Sequence, residues 1–161
     1  MSLSPVGLLL RLLDQAYERK SWHGPNLRGS VRGVSAAVAA HRPAEGRHNI
    51  WEVALHAAYW KYIVRRRLLG EKRGSFPLKG SNWFVRPVTR SEGAWQEDVA
   101  LLERMHWAMR EAVAALRPRD LGVTPTGSKV SNFDMIAGVA AHDVYHAGQV
   151  QLLKRLAGEA K

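Results

Sequence analysis

Apolar residues recur at intervals of three and four along most of the chain, which is the spacing of one face of an α-helix. This pattern predicts a first helix from about Pro5 to Arg19 and a short second helix between Asn26 and about Ala40. Longer helices are predicted from Asn49 to Leu69, from about Glu92 to Leu116, and from Ser131 to near Gly158. No segment shows the strict alternation that is typical of a strand, so the pattern indicates an all-α protein.

Local signals mark where these helices begin and end. Asn49 and Glu52 form an Asn-x-x-Glu capping box before the third helix, and Pro118 ends the fourth. Residues 70–91 are rich in glycine, proline and basic residues, and they predict a long irregular crossover. We therefore expect a four-helix bundle with a long crossover and a short extra helix, forming a single domain over residues 1–161.

The composition narrows the chemistry available to the protein. The 161 residues are 46% hydrophobic and include no cysteine. Disulfides, thiolate metal sites and a cysteine nucleophile are thereby excluded, so any metal must be held by histidine, carboxylate or backbone oxygen. The N-terminus predicts an amphipathic helix, not a signal peptide, and no run approaches the roughly 18 to 20 apolar residues of a transmembrane helix. We expect a soluble, cytoplasmic protein that does not enter a membrane.

The net charge of +10 raises the question of nucleic-acid binding. The basic residues are scattered, and their densest cluster, residues 65–67, lies at a predicted helix end with Lys72 and Arg73 just beyond. Cations at that position complement the helix dipole. A solvated basic face therefore explains the charge more simply than a nucleic-acid partner.

Two histidines stand one helical turn apart in the segment "AAHDVYHAGQVQLL", residues 140–153. At about 100° per residue, His142 and His146 share a face with mainly apolar positions, so both imidazoles are predicted to point into the bundle. The other positions on this face are Met135, Val139, Tyr145, Gln149, Leu153 and Leu156. The Cβ atoms of His142 and His146 would lie about 6 Å apart, which suits two ligands of one cation. Asp143 stands where the zinc proteases have glutamate, so that pattern fails.

A third imidazole is available on a different predicted helix. His56 shares the interior stripe of the 49–69 helix with Glu52 and Trp60. Three histidines with open coordination positions are typical of catalytic metal sites. On spacing alone, a metal centre and a set of core histidines each satisfied by a hydrogen bond both remain possible.

The segments "NIWEVALHAAYW" and "AAHDVYHAGQV" together resemble the DinB-like family, a group of damage-inducible four-helix bundles. "WHGPNL", "HRP" and "WQEDVALLERMHWAMREAVAAL" also resemble one branch of it. The resemblance implies a metal held by His56, His142 and His146, usually zinc or nickel, and often a homodimer. Some relatives use the metal to activate a low-molecular-weight thiol for transfer or isomerisation.

Several neighbours of these histidines are candidates for further roles. Tyr59, Tyr145 and Gln149 lie within a turn of a ligand position and could bind substrate or a ligand's second nitrogen, although a buried polar residue paired with backbone is the alternative for each. Glu52 is a possible base, but its capping role is simpler. Asp143, at the predicted helix flank, is a candidate acceptor for a ligand.

The crossover segment "SNWFVRP" supplies two further candidates, because a loop of this length is either mobile or functional. Trp83 or Phe84 is expected to cover the metal pocket.

Three functions follow from these patterns. The first is a metal-dependent enzyme that activates water or a small thiol. The second is a non-catalytic metal-binding protein of the stress response, whose site would be closed by a fourth protein ligand such as Glu52. The third and least favoured is a basic nucleic-acid-binding module, whose affinity would fall steeply with salt.

Overall fold

The computed structural model describes residues 4–159, and every regular element within that range is helical. The elements are α1 (Pro5–Tyr17), α2 (Leu27–Val31), α3 (Ala36–Ala40), α4 (Ile50–Leu68), α5 (Glu92–Ala114) and α6 (Asn132–Glu159), with a 3₁₀ turn (Pro118–Asp120) between α5 and α6. The prediction of an all-α protein is confirmed. No helix in the described range is long and apolar enough to cross a membrane.

The four long helices form a ring in which each packs against two others. Helix α4 packs against α5 and α6, and α1 packs against the same two helices. The short helices cover the outside of this ring, with α2 on α1 and α6, and α3 on α4 and α5. This is the predicted helical bundle, and residues 70–91 form its long irregular crossover.

The short extra helix differs from the prediction because it is divided into two. Gly33 has a φ of 73°, a left-handed conformation that ends α2 and turns the chain before α3. Ser35 then caps α3 by accepting a hydrogen bond from the backbone N–H of Val38 at 3.3 Å. The apolar periodicity continues across this break, which is why the sequence indicated a single helix.

The start of α4 is fixed as its sequence predicted. The Asn49 side chain accepts from the Glu52 N–H at 2.8 Å, and the Glu52 carboxylate accepts from the Asn49 N–H at 3.4 Å. Around this end, the indole rings of Trp51 and Trp95 meet edge to face in the core. Burial continues around the whole circumference of α4 from Ile50 to Ala58, which makes α4 the central helix and holds His56 in a fixed direction.

Candidate metal centre

Three histidines from two helices converge at one edge of the bundle. His56 comes from α4, and His142 and His146 come from α6. The Nε2 atom of His142 lies 3.0 Å from Nε2 of His56 and 2.9 Å from Nε2 of His146. All three potential ligand atoms lie within 4.8 Å of one another, so the group could hold a metal ion. The structure thus brings together the three positions that the sequence singled out.

Hydrogen bonds on the far side of two rings fix their orientation. Nδ1 of His56 donates to the backbone carbonyl of Asn82 at 2.9 Å, and Nδ1 of His146 donates to Oε1 of Gln149 at 2.6 Å. The Gln149 amide in turn donates to the Tyr145 hydroxyl at 3.1 Å. Because these Nδ1 atoms carry the protons, the Nε2 lone pairs of His56 and His146 are directed toward the centre.

The crossover also contacts the histidine group, through Asn82 and Trp83. Asn82 has a φ of 63°, a left-handed conformation that asparagine tolerates, and its side chain accepts from the Trp60 indole at 3.0 Å. Trp83 stacks on the His56 ring at 3.8 Å and on the His48 ring at 3.6 Å. The crossover therefore orients His56 and covers one face of its ring.

Electrostatics favour a bound cation at this position. Burial, followed by the influence of the neighbouring histidines, lowers the pKa of His142 to about 3. Burial is also the main cause that lowers the pKa of His146 to about 4 and the pKa of His56 below its usual value. All three rings are therefore neutral at pH 7. The Nε2 lone pairs of His56 and His146 face Nε2 of His142 at about 3 Å, and neutral imidazole nitrogens arranged in this way can share a metal ion.

His142 differs from the other two histidines at its second nitrogen. Nδ1 of His142 is buried and finds no hydrogen-bond partner among residues 4–159. A buried nitrogen without a partner carries a desolvation cost. The Nε2 atom of the same ring faces the Nε2 atoms of His56 and His146, and a metal ion shared by the three Nε2 atoms fits this donor set.

A pocket of about 820 Å³ opens onto the three histidines. Its walls include Trp83, Tyr145 and Gln149, together with Pro43, Ala44 and residues 46–48. The apolar part is supplied by the last turns of α6, through Leu152, Leu153 and Leu156. A small molecule with an apolar portion can therefore approach the Nε2 atoms from outside.

The buried face of α6 does not lie where the sequence placed it. Tyr145 is 63% exposed, whereas Asp143 is fully buried. The centre of the buried face follows Asp143, Ala147 and Val150, so the histidine group lies at the rim of the core. The expectation that both imidazoles point into the bundle is therefore correct for His146, which is 3% exposed, and only partly correct for His142.

Asp143 itself has a different role from the predicted one. It was expected at the helix flank as an acceptor for a ligand, but its carboxylate forms an ion pair with Lys61 of α4. Both side chains are completely buried. Sequence reasoning missed Lys61, and the signal was a lone lysine within the apolar stretch "HAAYWKYIV" of the central helix.

The Glu52 carboxylate is fully engaged in contacts away from the three histidines. It accepts from Arg42 at 2.6 and 3.1 Å and contacts Nδ1 of His48 at 2.9 Å, in addition to its capping bond. Burial raises the pKa of Glu52, but these hydrogen bonds outweigh burial and hold it below its usual value. Glu52 therefore caps α4 and does not join the histidines, whose group contains no fourth His, Cys, Asp or Glu within the described part of the chain.

Tyr59 and Phe84 lie in a separate aromatic cluster. The Tyr59 ring meets Phe76 and Phe84 edge to face at 5.3 and 5.7 Å, and it does not line the histidine pocket. Phe84 is buried in the core, so Trp83 is the crossover residue that covers the histidines. Of the three proposed catalytic positions, Tyr145 and Gln149 border the pocket and Tyr59 does not.

Comparison with known proteins adds a family assignment to this geometry. A model of the DinB superfamily matches residues 21–150, which include all three histidines and most of the bundle. No curated protein and no solved structure gives a significant match. The family match covers well over half of the sequence and agrees with the helical fold. The chain belongs to the DinB superfamily.

Proposed function

We propose that this protein is a metal-dependent enzyme that binds one divalent transition metal, zinc or nickel, through His56, His142 and His146, and that its substrate is a low-molecular-weight thiol or water. The observation that carries the proposal is the convergence of three neutral Nε2 atoms at the base of an open pocket. A structural metal site is usually closed by a fourth protein ligand, whereas a catalytic one keeps a position open.

A divalent ion held by three neutral imidazoles retains its full charge and lowers the pKa of a water or thiol bound beside it. The sequence has no cysteine, so an incoming thiol meets no thiolate competitor from the same chain. This composition favours an exogenous thiol as the sulfur-containing reactant.

The residues around the pocket support small-molecule binding in specific ways. Leu152, Leu153 and Leu156 offer an apolar surface and exclude water from one side. The Tyr145 hydroxyl accepts a hydrogen bond from Gln149 and remains free to donate its own proton to a substrate oxygen. Trp83 limits access along the face of His56.

The same proposal includes a cytoplasmic homodimer. Its support is the exposure of Leu8 and Leu12, which are 52% and 49% exposed on α1, and the absence of cysteine. Light scattering at micromolar concentration should give the mass of two chains, and a strictly monomeric protein would contradict this part of the proposal.

The enzymatic proposal is tested by asking whether a thiol reaches the metal. Protein loaded with Co²⁺ should develop a thiolate-to-cobalt charge-transfer absorption when 2-mercaptoethanol is added, and His146→Ala should not. A matched variant on the same helix, Gln151→Leu, should behave as wild type because Gln151 contacts Ser30 and not the histidines. Cobalt-loaded protein whose spectrum is unchanged by thiol would contradict the thiol-binding function.

A further inference from the structure

A second pocket of about 680 Å³ lies between the C-terminal half of α4 and the crossover. We call it the basic pocket, because the described residues that line it include Arg66, Arg67, Arg73 and Lys79 and no acidic residue. Its position and lining are distinct from those of the pocket at the histidines.

The positive charge of the basic pocket has no carboxylate to balance it within residues 4–159. The nearby carboxylate of Glu71 is occupied by Arg65, at 2.8 and 3.0 Å. Arg66 is only 7% exposed and donates to the Glu71 backbone carbonyl at 2.9 Å, but its Nε is buried without a partner. The Nε of Arg67 is also buried and unpartnered. A buried guanidinium without a counter-charge is costly, so an external anion would be stabilising here.

The same cations lie close enough to repel one another. The pKa of Arg67 is lowered, first by burial and then by the charges of Arg66 and Arg73. An oxyanion placed among these three guanidinium groups would relieve the repulsion and accept charge-assisted hydrogen bonds.

Aromatic side chains form the rest of the wall. Tyr59, Trp60, Tyr62 and Phe76 line the pocket beside the cations. The Tyr62 hydroxyl accepts hydrogen bonds from the backbone N–H groups of Gly74 and Ser75, both at 3.3 Å, which holds the crossover against α4. This combination suits a ligand with one anionic group and an aromatic or apolar body.

We propose that the basic pocket binds small molecules that carry an oxyanion, either a phosphate monoester or a carboxylate, on an aromatic or apolar body. Nucleic acid is a poorer match, because the phosphates of a duplex cannot reach a guanidinium as buried as that of Arg66. The proposal does not depend on metal at the histidines.

Occupation of the basic pocket would also contact elements that orient the metal centre. Trp60 lines the pocket and donates its indole N–H to Asn82, whose carbonyl accepts from His56. Gly80 and Ser81, which precede Asn82, line the pocket as well. A ligand there would thus contact the segment that holds His56.

Isothermal titration calorimetry with three probes tests this proposal: phenyl phosphate, benzoate and benzyl alcohol. Phenyl phosphate or benzoate should bind saturably, and benzyl alcohol should not. Binding by only one of the two anions identifies the preferred oxyanion. Arg67→Met and Arg73→Met should each weaken binding by about tenfold or more, as expected for the loss of a charge-assisted hydrogen bond.

The controls separate a built pocket from general charge attraction. Arg104→Met removes an exposed arginine from α5 and should leave the affinity within about twofold of wild type. His142→Ala should bind the anions as wild type does. Arg73 is exposed in an irregular segment, so its replacement should leave the fold intact, and circular dichroism checks this. Absence of saturable binding, equal weakening by Arg104→Met, or displacement of the anion by a DNA duplex would overturn the proposal.

Discussion

At the scale of single residues, the second nitrogen of each histidine distinguishes the three rings. His56 and His146 donate to a carbonyl and a side-chain amide, whereas Nδ1 of His142 has no partner in the described part of the chain. The residue types at 56, 142 and 146 were predictable from helical spacing. The acceptor for His56 was not, because it is a backbone carbonyl 26 positions away whose location depends on the left-handed conformation of Asn82.

Replacing Gln149 should weaken metal binding without removing a ligand. In Gln149→Leu, Nδ1 of His146 loses its acceptor, so the ring loses both its fixed tautomer and part of its basicity. We expect zinc affinity, measured by competition with a chelator, to fall about 10- to 100-fold. Gln151→Leu serves as the control, and equal affinities for the two variants would show that the Gln149 contact is unimportant.

His106 should make the protein sensitive to acid. Both ring nitrogens are buried without partners within residues 4–159, and the ring stacks on Tyr17 at 3.6 Å. Burial, reinforced by the charges of Lys61, Arg110 and Arg28, lowers the pKa of His106 to about 2. The unfolded chain binds a proton at His106 near pH 6.5, whereas the folded chain does not bind one until the pH approaches 2. The contribution of His106 to the free energy of unfolding is therefore fully present above pH 6.5 and is lost as the pH falls toward 2.

The corresponding variant is His106→Leu. Between about pH 6 and pH 4, the free energy of unfolding measured by urea denaturation should fall less steeply in this variant than in wild type. The difference between the two slopes should be about 1.4 kcal/mol per pH unit. His23→Leu changes an exposed histidine and should leave the slope as it is in wild type. A slope unaffected by His106→Leu would mean that the buried ring takes up a proton in the folded state.

At the scale of helices, α4 and α6 are joined by a buried ion pair beside the three-histidine group. Lys61 and Asp143 pair inside the bundle, and Asp143 is adjacent to His142 in sequence. The apolar periodicity predicted both helices, but it placed the buried face of α6 on the side of Tyr145, which is exposed. The reason is physical: a tyrosine ring counts as apolar in a pattern, whereas an aspartate can be buried only where a partner from another helix neutralises it.

Breaking this pair from one side should be strongly destabilising. Lys61→Met leaves the Asp143 carboxylate buried without a counter-charge, and we expect a loss of about 3 to 5 kcal/mol in the free energy of unfolding. The double variant Lys61→Met/Asp143→Leu should recover most of that loss, because both charges are then removed. Urea denaturation measures both variants, and additive losses in the double variant would contradict the pairing.

At the scale of the whole molecule, the crossover determines what the bundle presents on its surface. Residues 70–91 place Trp83 over the histidines and close the basic pocket against α4. The sequence predicted the length and irregularity of this segment, and it named Trp83 or Phe84 as a cover without distinguishing between them. It could not predict the basic pocket, because the cluster at residues 65–67 was interpreted as a solvated helix end. In the folded protein, Arg66 turns inward, and among the three arginines only Arg65 pairs with a carboxylate of residues 4–159.

Metal content measured by elemental analysis tests the central claim most directly. Tag-free wild-type protein, purified and then loaded with zinc or nickel, should retain about one equivalent of metal after dialysis, as expected for a single three-histidine site. His142→Ala should retain almost none, whereas Gln151→Leu should match wild type. Wild-type protein that cannot be loaded, or a His142→Ala variant that retains a full equivalent, would contradict the assignment of His56, His142 and His146 as a metal centre.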